Sequence, residues 1–118
     1  MPTKLASIKT VKGVLQRAKS RLVKHGWGQH AYWNVTNDCY CIAGAVYYTV
    51  SKNAIVADNM TKKNLALRTF KALIKAAGLE VPGDTHYIES TLLNWNDECE
   101  RTRESILDVM DSAIAHAR

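Results

Sequence analysis

The stretch from Asp38 to Lys52, D-C-Y-C-I-A-G-A-V-Y-Y-T-V-S-K, constrains the fold more than any other part of the chain. Between its two charged ends no side chain is charged at neutral pH. In a chain of 118 residues with a formal net charge of +5, such a run is either buried on most sides or bound to something. A fully buried strand and a central helix both fit, because a short apolar run containing Val, Tyr and Thr cannot be assigned by periodicity alone. Its length favours a helix over residues 38–52, capped by Asn37 or Asp38 and ending near Lys52-Asn53. The Ala43-Gly44-Ala45 patch would let a neighbouring helix approach this backbone closely.

The flanking chain supplies partners for that helix. In residues 6–25, Ile8, Val11, Leu15, Ala18 and Leu22 recur at spacings of three and four, and Gly26 is a natural terminator. Trp27 follows, placed to fold back on the last turn, and residues 28–37 read as an aromatic-containing loop. After a connection over residues 53–60, Thr61 is the expected cap of a helix over 62–77. Its inward face is Leu65, Ala66, Phe70, Leu73, Ile74 and Ala77, and Gly78 ends it. Val81-Pro82-Gly83-Asp84 is a turn by composition. A short helix over His86–Trp95 follows, then a last helix over 103–117 capped by Thr102. The expected fold is all-α: a compact bundle of about five helices around the central apolar helix, residues 38–52, in a single domain, 1–118.

The apolar fraction of 47% and charged fraction of 23% are those of an ordinary soluble globular protein. No apolar run approaches the roughly 18 residues of a membrane span, and the N-terminal residues show no secretory pattern. Three cysteines, an odd number, fit a reducing compartment, so the expected location is cytoplasmic.

Charge is distributed unevenly. Residues 1–37 contain Lys4, Lys9, Lys12, Arg17, Lys19, Arg21 and Lys24 and no Asp or Glu, whereas residues 80–118 hold nine of the eleven acids against three arginines. Either the two ends pair within the fold, or the basic face meets an acidic partner. A nucleic-acid partner would be held through phosphates by Lys9, Lys12, Arg17, Lys19, Arg21 and Lys24, without base reading. No helix-turn-helix spacing, zinc finger or aromatic stacking platform accompanies them.

Gly26-Trp27 followed by Cys41-Ile42-Ala43-Gly44-Ala45, and Trp95-Asn96-Asp97 followed by Arg101-Thr102, form a signature. In these segments the chain resembles a small uncharacterised family, a domain of unknown function found in actinobacteria and their tailed phages. The resemblance covers nearly the whole chain and implies a phage or actinobacterial setting. It implies no mechanism.

Each candidate site has a plain alternative. Trp95 between Leu93 and a polar pair is most simply a core plug, with Asn96 and Asp97 bonded to nearby backbone amides. On the functional reading Asn96 and Asp97 line a pocket floored by Trp95, and Trp95, Asn96, Asp97 and Trp27 are the candidate binding residues. Cys39 and Cys41 fall at the start of the expected central helix, where the dipole would favour a thiolate. With His86, and then Asn94 or Asn96, they follow the chain order of papain-like cysteine hydrolases. Those enzymes place the histidine on a sheet, and none is expected here, so buried structural cysteines are the simpler reading. Cys39, Cys41 and Cys99 lack zinc-site spacing, and neither a metal nor a cofactor is called for.

The sequence reading is therefore of a small, non-catalytic binding module of the phage accessory type, acting on a host protein. The alternative is a nucleic-acid binder using the basic first helix, and the third is a cysteine hydrolase.

Overall fold

The uncharged stretch becomes the central helix, but three residues later than its charge pattern indicates. In the computed structural model, which describes residues 5–52 and 59–117, that helix is α2, Ile42–Ser51, ended by Lys52 in the left-handed conformation. Residues 38–41, expected to be its first turn, instead finish a hairpin, in which β1, Trp33–Asn34, pairs antiparallel with β2, Cys39–Tyr40.

The cause is what Asp38 does. Its backbone has a positive φ of 51°, and its carboxylate accepts from Trp33 Nε1 (3.0 Å) while its other oxygen meets His25 Nδ1 (2.7 Å). A side chain occupied in this way cannot cap a helix. Cys41 does so instead, its Sγ accepting the Gly44 amide at 3.3 Å. Backbone bonds on both sides of β2 fix the strand: Tyr40 N to Gly26 O (3.0 Å), Gly28 N to Tyr40 O (2.9 Å) and Cys41 N to Tyr32 O (3.2 Å).

The first helix, α1, is Val11–His25, shorter than the expected 6–25. Thr10 caps it, its hydroxyl oxygen accepting the Gly13 amide, while Thr10 N and its hydroxyl both donate to Ser7 O. This turn takes Ile8 off the inward stripe and leaves it 44% exposed. The helix ends at Gly26 as expected.

Helix α3, Met60–Ala76, begins with Asn59 rather than Thr61 as its cap. Asn is among the strongest caps, and starting there adds about half a turn. The preceding connection, residues 53–58, lies outside the described residues, as does Lys4. A 3-10 turn at Thr85–Tyr87 leads into α4, Ile88–Asn96. The last helix, α5, is Arg103–His116, with Thr102 and Ser105 forming a reciprocal capping box.

The five helices of the described residues pack together, with α2 against α1, α3 and α4, while α5 closes the far side against α1 and α3. Phe70, Leu73 and Ile74 of α3, Leu15 and Leu22 of α1, and Ile106 and Met110 of α5 are fully buried, each such residue contributing about 1.5–3 kcal/mol. The small residues of α2 do permit a close approach, but by the hairpin rather than by a helix. A Cβ on Gly44 would lie 2.0 Å from Tyr32 O. Among the described residues no helix is long and apolar enough to cross a membrane.

Candidate functional site

Residues far apart in sequence meet at one side chain. Asn96 ends α4 and is fully buried. Its Oδ1 accepts from Trp27 Nε1 (2.8 Å) and from the Ile42 amide at the start of α2 (3.0 Å). Its Nδ2 donates to Gly28 O (3.2 Å) and to Asp97 Oδ1 (2.9 Å), and that same oxygen accepts the His30 amide at 3.0 Å. Gln29 adds two bonds, from Nε2 to the carbonyls of Asn96 (3.0 Å) and Glu98 (2.8 Å). The amide of Asn96 thereby uses both its acceptor and its donor end, as a buried polar side chain must.

Trp95, 5% exposed, plugs the core. The Arg101 guanidinium lies 4.1 Å from the centre of its ring, and Arg101 Nε donates to Trp95 O at 2.9 Å. So Trp27, Trp95, Asn96 and Asp97, the candidate binding residues, are brought together as a junction of loop 26–30, α2 and α4. The side chains of Trp27 and Asp97 both bond to Asn96, Trp95 packs in the core beside them, and the two clefts described below are lined by other residues.

A second cluster was not foreseen from the sequence. Tyr32 and Tyr47 both donate their hydroxyls to Glu89, one to each carboxylate oxygen. Burial first, and then the bond to Glu89, pushes both phenols well above the ordinary value of 10.0. The hairpin, α2 and α4 are tied at this point. The available signal was a carboxylate between Ile88 and Leu92, inside an otherwise apolar helix, which has to find donors.

Cys41 is buried beside α2, and burial pushes its thiol up to about 11 despite the amides of Gly44 and Ala43. The helix start expected to activate it is outweighed by desolvation. Cys39 is half-buried, its Sγ lying against Gly28. His86 is exposed and bonded through both its amide and Nδ1 to Asp84 Oδ1 (2.9 Å each). Among the described residues no hydrogen bond joins His86 to Cys39 or Cys41, and no group of three or more His, Cys, Asp or Glu is placed to hold a metal ion.

The cations of residues 9–24 divide into two sets. Arg17 donates to Ala6 O (2.6 Å) and Gly13 O (3.2 Å), Arg21 lies 3.7 Å from the centre of the Tyr48 ring, and Lys19 pairs with Asp111 of α5. Lys9, Lys12 and Lys24 have no acidic partner among the described residues. Among the described residues, basic front and acidic back therefore meet through Lys19 alone of these cations. At partial exposure such a pair contributes about 0–1 kcal/mol.

Two clefts border α1. One, about 320 Å³, is lined by Leu5 and Ile8 together with Arg17, Arg21, Lys24, His25 and Lys52. The other, about 660 Å³, lies where the first turn of α1 meets the later turns of α3 and α5. Among the described residues no Asp or Glu lines either one.

These features define an all-α bundle whose loop 26–30, central helix and fourth helix are joined through one buried asparagine. The chain belongs to the family of unknown function DUF6197, whose sequence profile matches residues 6–116. No curated protein and no solved structure matches it.

Proposed function

We propose that the protein is a non-catalytic binding module, a phage-type accessory protein that engages an acidic segment of a host protein in the cytoplasm. The observation that carries this reading is the smaller cleft. Leu5 and Ile8, 43% and 44% exposed, sit among Arg21, Lys24 and Lys52, and no carboxylate of the described residues lines the groove. Exposed apolar side chains ringed by cations suit a segment that alternates apolar and acidic residues. Arg21 is held on Tyr48 and Arg17 on backbone carbonyls, so part of this positive surface is already ordered before a partner arrives.

A nucleic-acid reading draws on the absence of acids along α1. It is weakened because Lys19 is paired with Asp111 and no groove-reading element accompanies the other cations. The placement of Cys41 and His86 lends no support to a hydrolase.

The test is affinity capture from host lysate with and without nuclease, using the wild type and the double variant Lys24→Glu, Lys52→Glu. The proposal expects one protein to be retained after nuclease treatment and lost with the double variant. Capture that disappears with nuclease, or that survives the double variant, contradicts it.

A further inference from the structure

The larger cleft points to a different kind of ligand on a different surface. Its cations, Lys9, Arg68 and Lys75, come from the segment before α1 and from α3, and none has an acidic partner among the described residues. Its floor is methyl groups: Ala72 and Ala76 of α3 face Ala113 and Ala117 at the end of α5. Alanine at these four positions is what leaves the space open, because longer side chains there would fill it. A volume of about 660 Å³ lies within the range of small-molecule sites, roughly 300–1,000 Å³.

Helix ends act in both directions here. The first turn of α1 presents positive charge, while the last turns of α3 and α5 present negative charge. Each end is worth about half an elementary charge, so the three together subtract about half a charge from the three whole charges of Lys9, Arg68 and Lys75. The cleft stays strongly positive. Lys75, in the last turn of α3, also offsets that negative end directly.

We infer that this cleft binds an organic phosphate of mononucleotide size, its phosphate held by Lys9, Arg68 and Lys75 and its flat body lying on the alanine floor. Three cations lining one cleft match a dianion better than a single carboxylate. The four alanines present only methyl groups to a planar ring laid along them. Unlike the proposed host-protein contact, this site needs no macromolecular partner, so either can fail without the other.

The experiment is calorimetric titration of the purified protein with adenosine monophosphate, with inorganic phosphate and with a ten-residue oligothymidylate, each at the same ionic strength. Adenosine monophosphate should bind at least tenfold more tightly than inorganic phosphate. The double variant Arg68→Gln, Lys75→Gln should weaken it at least tenfold. Ala76→Leu, which fills the slot without changing charge, should do the same. Lys71→Gln, which removes a charge from α3 outside the cleft, should change it less than twofold. Circular dichroism melts of each variant establish that it is folded. Equal binding of the mononucleotide and inorganic phosphate overturns the inference, as does indifference to Ala76→Leu. Oligothymidylate binding more tightly than the mononucleotide overturns it in favour of an extended nucleic-acid track.

Discussion

Replacing Asn96 by alanine removes one small side chain and disconnects three parts of the chain. Four hydrogen bonds go with it, and three partner groups are left without that contact: Trp27 Nε1–H, the Ile42 amide and Gly28 O. Asp97 Oδ1 keeps the His30 amide. An unsatisfied buried group costs about 1–3 kcal/mol, and the part-buried groups recover some of this by meeting water. The expected loss for Asn96→Ala is therefore about 3–5 kcal/mol, a large share of the roughly 5–15 kcal/mol that holds a domain folded. Asn96→Asp keeps the acceptor for Trp27 and Ile42 but loses the donor to Gly28 and sets a carboxylate against Asp97. It should cost about 2–4 kcal/mol, with the loss shrinking in acid. Trp27→Phe deletes one bond and should cost about 1 kcal/mol. Urea unfolding followed by far-ultraviolet circular dichroism reads all of these, and the Trp27→Phe, Asn96→Ala cycle should show coupling near 1 kcal/mol. A loss below 1 kcal/mol for Asn96→Ala, or strict additivity in the cycle, would refute the junction as described.

Trp95→Ala should cost about 3–5 kcal/mol, the range for truncating a buried aromatic, and a midpoint within a degree or two of wild type would mean the ring is not core. Cys41, with its thiol raised to about 11, should resist a thiol reagent at pH 8 until the chain unfolds, while exposed Cys99 reacts at once; fast native labelling of Cys41 would contradict its burial. The Asp38 carboxyl is held below its ordinary 3.8 first by the Trp33 bond and then by His25, so its contribution is present above that value and is lost as pH falls through the depressed one. Asp38→Asn should remove this acid-limb dependence from hairpin chemical shifts measured against pH, and an unchanged profile would assign it to another group.

The helices were legible because their apolar residues recur at helical spacing and their ends carry ordinary signals: Gly26, Gly78 and Thr102 behave as their chemistry dictates. Their starts were less so wherever two good caps compete within a few residues. Asp38 and Cys41 are such a pair, and the choice between them is made by Trp33 and His25, which no local pattern reveals. Asn59 and Thr61 are another. The structural reading of Trp95-Asn96-Asp97 follows from the rule that buried polar groups are bonded, but the identity of the partners does not. Trp27 and Ile42 reach Asn96 from 69 and 54 residues away. The Glu89 cluster was hidden for the same reason, since its two tyrosines lie in separate elements. The basic face was visible as composition, yet which cations are held inside and which reach outward depends on Ala6 O, Tyr48 and Asp111.

The most direct test of the proposed binding role is a titration of the purified captured partner against the wild type and the Lys24→Glu, Lys52→Glu variant at physiological salt. Lys63→Glu, a charge reversal on α3 away from the groove, serves as control. The account predicts at least tenfold weaker binding for the double variant and less than a twofold change for the control. Equal weakening by both, or by neither, would contradict recognition through the groove beside α1.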